Sequence, residues 1–137
     1  MNYLAIIACA LLSMGIGFVW FGPLFGKKWM EICGATDLDM EKRKEMQRRA
    51  MPLYLVQFLL TLFQLMVLAW YINALSGTSS GLHTAFSIWI AFILPTVAGS
   101  SMWNNDSSKV KWSRFLIQVG YQLVAFIIFG LILSAWQ

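Results

Sequence analysis

The side chains with which this 137-residue chain could do chemistry inside its apolar stretches are few and uncharged. Gln57, Thr61 and Gln64 follow one another at steps of four and three, and Tyr54, Leu68 and Tyr71 extend the same stripe, so all six fall on one face of a helix. Gln118 and Gln122 are spaced for one face of another helix, with Tyr121 beside them. A glutamine amide carries two donors and a carbonyl acceptor, and each must find a partner when buried. Two chemistries fit. The amides hold helices together, each contact contributing about 0.6–2 kcal/mol. Alternatively they line a narrow polar path or pocket for a small solute or ion.

Catalysis finds little material. The single histidine, His83, has no carboxylate close in sequence. Cys9 and Cys33 are too far from it and from each other for metal-ligand spacing. No phosphate loop, paired carboxylates or nucleophile motif occurs. Lipid chemistry would have to use His83 or Cys33, neither with a visible base. The expectation is a protein that is not an enzyme, with no catalytic, cofactor-binding or metal residues.

The elements that must position these side chains are plain from composition. The chain is 59% hydrophobic and 12% charged, against roughly 45–50% and 25% for an ordinary soluble domain. The excess lies in four blocks, Tyr3–Gly22, Pro52–Ala74, Thr84–Trp103 and Ser113–Trp136, free of Asp, Glu, Lys and Arg except Arg114 at one edge. Each is about the 20 residues that a helix needs to cross roughly 30 Å of hydrocarbon. A cleaved signal peptide is the weaker reading of the first block, because Met1-Asn2-Tyr3 has no basic n-region. The predicted fold is an all-α, polytopic membrane protein: one transmembrane domain over 1–137, a four-helix bundle with spans near 3–22, 52–74, 84–103 and 113–136. With no charged group inside a span, a proton-coupled pump is disfavoured.

Charge sets the orientation. Lys27, Lys28, Lys42, Arg43, Lys44, Arg48 and Arg49 lie between the first two blocks, and Lys109, Lys111 and Arg114 between the last two. The link between the second and third has no Lys or Arg. Basic loops stay in the cytoplasm, so both termini are expected outside it. The net charge of +4 then reflects topology and attraction to anionic lipid rather than nucleic acid. Trp20, Lys27, Lys28, Trp29, Trp103 and Trp112 are the expected interfacial and headgroup residues. In the cytoplasmic loop, about 23–51, Gly22-Pro23 should break the helix. A short cytoplasmic helix over 37–50 should follow, with Thr36 and Asp39 as a capping box and Asp39–Arg43 and Glu45–Arg49 as ion pairs four apart.

Small residues suggest packing. Ala5, Cys9, Ser13 and Gly17 recur every four residues in the first span, as do Ser87, Ala91, Pro95 and Gly99 in the third. Such stripes let backbones approach closely, between helices or between subunits. Pro95 should kink its helix, with Thr96 or Ser100 satisfying the freed backbone groups. Trp20 and Trp29 bracket the first basic turn at the spacing with which Trp103 and Trp112 bracket the third loop. That raises two hairpins related by duplication, against chance recurrence of interface tryptophans.

The run Trp20-Phe21-Gly22-Pro23-Leu24-Phe25-Gly26-Lys27-Lys28-Trp29-Met30 resembles the signature of the small bacterial membrane proteins of domain-of-unknown-function family 1761. Lys111-Trp112, Gly120-Tyr121-Gln122-Leu123-Val124, Gly130 and Trp136 resemble that family's last helix. The resemblance spans nearly the whole chain. It implies a four-helix protein of the bacterial inner membrane and carries over no activity. The leading expectation is a structural or accessory subunit that works by helix packing, as a homo-oligomer or within a larger membrane complex. The alternative is a channel or transporter with a glutamine-lined path, formed as an oligomer.

Overall fold

The computed structural model describes residues 2–32, 40–103 and 107–136. Regular structure among them is helical throughout: α1 (Tyr3–Val19) running into a π-helical turn (Trp20–Leu24), α2 (Gly26–Ile32), α3 (Met40–Ala74), α4 (Gly81–Ile88), a second π-helical turn (Trp89–Ile93), α5 (Leu94–Met102) and α6 (Ser108–Ala135). They form four rods long and apolar enough to cross a membrane: Tyr3–Leu24, Met40–Ala74, Gly81–Met102 and Ser108–Ala135. The first and third have 22 residues each, about 33 Å at 1.5 Å per residue, close to the thickness of a hydrocarbon layer.

Polar caps fix the rod ends. Asn2 Oδ1 accepts from the amides of Leu4 and Ala5, while its Nδ2 donates to the carbonyl of Trp136 at 3.0 Å. One side chain thus starts the first rod and ties it to the end of the last. Ser80 caps α4 through the His83 amide at 3.1 Å, and Ser107 caps α6 through the Val110 amide.

The buried core is concentrated toward the termini. It joins Ala5, Ile6, Cys9 and Ala10 of α1, Leu65, Leu68, Ala69 and Ile72 of α3, Ala85 of α4, and Ala125, Phe126, Phe129 and Leu133 of α6. α6 packs against every other rod and is the hub. Its closest approach is to α4. A Cβ on Gly130 would lie 2.8 Å from the Gly81 carbonyl oxygen and 2.9 Å from Ala85 Cβ, and a Cβ on Gly81 would overlap Ser134. Gly81 and Ala85 therefore face Gly130 and Ser134, small residues four apart on both helices. Toward the basic end the bundle opens, and residues 51–57 of α3 are exposed around their whole circumference.

Several boundaries differ from expectation. The helix does not break at Gly22-Pro23. It widens into the π-helical turn, where Phe25 N donates to Trp20 O at 3.0 Å, and ends at Phe25. Longer-range i→i+5 bonding accommodates the proline, which lacks an amide donor. Residues 40–50 are helical, but not as a helix of their own: from Met40 the chain runs on through the second span as one 35-residue helix with Pro52 inside it. Pro52 withholds a bond only from the carbonyl of exposed Arg48, where solvent can supply it. Residues 37–39, the Thr36/Asp39 capping box and the Asp39–Arg43 pair lie outside the described residues. Glu45–Arg49 is formed at 3.0 Å on the exposed helix surface. In the third rod the irregularity precedes Pro95, in the π-helical turn Trp89–Ile93. Thr96 Oγ1 donates to the Phe92 carbonyl at 2.5 Å, whereas Ser100 bonds Val97.

Candidate functional site

The family-like segment Trp20–Trp29 folds inward at the basic end and docks on α6. Trp20 is half-buried, and its Nε1 donates to the Ile117 carbonyl at 2.9 Å. Its ring lies against Gly120, where a Cβ would stand 3.1 Å from Trp20 Cζ2. Phe21 packs between Trp29 and Tyr121, with ring centroids 4.8 and 5.5 Å away, and Trp20 packs on Phe25 at 4.9 Å. These tilted ring pairs sit in the separation range where aromatic contacts are favourable. Gly26 is buried because a Cβ there would stand 2.9 Å from the Phe21 carbonyl oxygen, so the turn from the first rod into α2 requires glycine. Tyr121 completes the cluster by donating to the Ser13 carbonyl at 2.9 Å, and its hydroxyl approaches Gly17. Around this knot Lys27 is exposed, while Lys28 and Trp29 are half-buried.

Among the described residues, the polar contacts between rods away from the termini thus come from aromatic heads, not glutamine amides. Trp89 Nε1 donates to the Val119 carbonyl at 3.3 Å, two residues along α6 from the acceptor of Trp20. The glutamines behave differently. Gln57 is exposed, and its Nε2 donates to Thr61 Oγ1 on its own helix at 3.3 Å, while Thr61, buried, donates back to the Gln57 carbonyl at 2.8 Å. Gln64, Gln118 and Gln122 are half-buried. Among the described residues no hydrogen bond joins a glutamine of α3 to one of α6. Of the stripe on α3, Thr61 and Leu68 are buried and Tyr54 and Tyr71 exposed. A signal for the aromatic contacts was present in sequence: a tryptophan or tyrosine within an apolar segment needs an acceptor for its one donor.

The small-residue stripes divide. Ala5, Cys9 and Ser13 are buried, with Gly17 half-buried against Tyr121. In the third rod Ala91 and Pro95 are exposed, and a Cβ on Gly99 would meet nothing within 4 Å. The inward face of that rod is Gly81, Thr84, Ala85 and Trp89, then Ser101 beyond the π-helical turn. Trp103 and Trp112 are exposed, at 89% and 57%. His83, also exposed, pairs its Nδ1 with Ser79 Oγ at 2.8 Å. Among the described residues no group of three or more His, Cys, Asp or Glu side chains is placed to hold a metal. Cys33 lies outside those residues.

Comparison with known proteins adds a family and no precedent of activity. No curated protein and no solved structure matches the chain. A family model described as protein of unknown function (DUF1761) matches residues 4–134, which takes in the docked aromatic segment and all four apolar rods. On that coverage, the chain belongs to the DUF1761 family.

Proposed function

We propose that this is a multi-pass protein of the bacterial inner membrane, with both termini and the Leu75–Ser80 turn outside the cytoplasm. In this reading it serves as a structural or accessory subunit that assembles with copies of itself, or with a partner, through the cytoplasmic half of α3. The supporting observation is the exposure of that half-helix. Leu53, Leu55, Leu60 and Phe63 are 58–67% exposed, and every residue from 51 to 57 of that helix is exposed. Lipid tails would solvate those side chains, but Gln57 sits among them, and a polar group in hydrocarbon favours a helix partner. The outward Ala91, Pro95 and Gly99 offer a second small-residue face. Lys27, Lys28, Trp29, Trp103 and Trp112 would hold the basic end against anionic headgroups. Neither a catalytic nor a cofactor role is proposed. Native mass spectrometry from gently extracted membrane should give a homo-oligomer of fixed size or a stable complex. A strictly monomeric protein in native lipid would overturn the reading.

A second reading rests on the half-buried Gln64, Gln118 and Gln122, whose side-chain amides make no hydrogen bond to another described residue. Amides left open in this way could line a permeation path at an oligomer axis with Gln57 and Thr61. Replacing Gln57 and Gln118 by Leu should then abolish solute flux into liposomes, and unchanged flux removes those residues from the mechanism. The hairpin repeat belongs here too: both odd-numbered rods contain a π-helical turn with a proline in it or just after it.

A further inference from the structure

At the basic end, between the last turns of α5 and the first turns of α6, lies a cavity of about 160 Å³ lined by Ser101, Ser108, Lys111, Trp112 and Phe115, among others. At roughly 30 Å³ of liquid volume per water, it has room for a tetrahedral oxyanion with some of its water. Ser101 is 3% exposed, and its Oγ is a buried polar atom with no hydrogen-bond partner among the described residues. That is costly. A buried hydroxyl without a partner is unfavourable, whereas the exposed Thr96 and Ser100 bond carbonyls of their own helix. Ser101 instead lines the cavity without such a bond. The opposite wall is the N-terminus of the 28-residue α6, whose first turn contains Ser108. Helix N-termini present unpaired amides and a positive dipole end to an anion. Lys111 adds a full positive charge and has no ion pair among the described residues. Trp112 and Phe115 pack edge to face at 5.7 Å, giving the cavity an aromatic side.

We propose that this cavity is a binding site for a phosphate-type oxyanion, with Ser101 Oγ, the first turn of α6 including Ser108, and the Lys111 ammonium as its donors. Ser101, Ser108 and the Lys111 ammonium each offer a donor on its walls, and the Lys111 charge favours an anion over a cation. The same chemistry serves free phosphate and the phosphodiester of an anionic lipid whose tails lie along the neighbouring apolar helices. The site is separate from Lys27 and Lys28 and does not depend on the assembly proposed above.

The test uses the full chain in a zwitterionic detergent free of phosphate groups. Inorganic phosphate is titrated with chloride at matched ionic strength as control, and phosphatidylglycerol in mixed micelles is titrated separately, with thermal unfolding and native mass spectrometry as readouts. One or both phosphate species should raise the unfolding midpoint where chloride does not. Ser101→Ala and Lys111→Gln should each weaken binding about tenfold, the loss of one charge-assisted hydrogen bond. Lys27→Gln should not. Binding of inorganic phosphate identifies a free-anion site, and binding of phosphatidylglycerol alone identifies a headgroup site. No binding of either species by the wild-type protein would overturn the proposal, as would full retention of binding in both variants. The wild-type titration is decisive even if a variant fails to fold.

Discussion

Single atoms decide how closely this bundle packs. Gly81 and Gly130 face each other where a Cβ on either would collide with backbone: the Gly130 carbonyl for the first, the Gly81 carbonyl for the second, both at 2.8 Å. Backbone cannot swing aside as a side chain can. Gly81→Ala should therefore destabilise the protein by about 1–3 kcal/mol, the usual cost of overpacking. Gly15→Ala, on an open face of α1 with nothing within 4 Å, should be neutral or stabilise by up to about 1 kcal/mol. Thermal unfolding of the two variants checks the contrast. The indole of Trp20 makes a second residue-scale prediction. Trp20→Phe keeps an aromatic ring but removes the donor to the Ile117 carbonyl, and should cost about 0.5–1.5 kcal/mol. A loss no larger than that of Phe25→Leu, at the rim of the same cluster, would reduce Trp20 to packing. In sequence, Trp20 read as an interfacial residue, because an indole beside basic residues fits a headgroup layer. That reading misses what a carbonyl on α6 offers, since no local pattern shows that the helix passes there.

Two elements depart from regular geometry, and both departures follow from proline. Pro23 lies inside one π-helical turn and Pro95 just after the other. A π-helical turn inserts an extra residue, and one residue is a rotation of about 100° around the helix. The face facing inward before the turn is therefore not the face facing inward after it. The stripe of Ser87, Ala91, Pro95 and Gly99 already lies off the inward face before the turn, two residues from Ala85 and Trp89, and Ala91 and Pro95 stay exposed. The first-span stripe holds because Ala5 to Gly17 all lie on α1, before its π-helical turn. α3 departs in another way, projecting from Met40 through Pro52 before meeting its neighbours. Hydrogen–deuterium exchange should follow. In detergent, amides of residues 41–50 should exchange much faster than those of residues 61–72, where Thr61, Leu65, Leu68 and Ile72 are buried. Uniform protection along α3 would mean that a partner covers its exposed half.

At the scale of the whole molecule, the chain is tight at one end and open at the other. The termini meet through Asn2 and Trp136, beside the Gly81–Gly130 contact. All ten basic residues belong to the opposite end, on α2 and the leading turns of α3 and α6. That segregation yields an orientation prediction. In intact cells of a Cys33→Ser background, a cysteine at Gly77 should react with an impermeant thiol reagent, and one at Met46 only after the membrane is breached. The reverse pattern would invert the proposed topology. The open end also collects the docked aromatic segment, the exposed half of α3 and the cavity between α5 and α6. A partner, a second copy or an anionic headgroup would therefore approach the molecule there.

The sequence alone determined the four apolar rods, the near-absence of charge from their apolar segments, the placement of basic residues at one end and the family. Each follows from local composition, because an apolar segment of such length satisfies its backbone bonds only as a helix, whatever surrounds it. Only the tertiary structure decided which polar groups pair, which face of the third rod turns inward and where α3 leaves the bundle. Those outcomes depend on the rotation and tilt of one helix against another. Trp20 and its acceptor at Ile117 are 97 residues apart, and the π-helical turns reset the periodicity from which faces are read. Ser101 is the clearest instance: a serine beside another serine in sequence, it becomes a buried hydroxyl with no partner among the described residues once α5 closes against the start of α6.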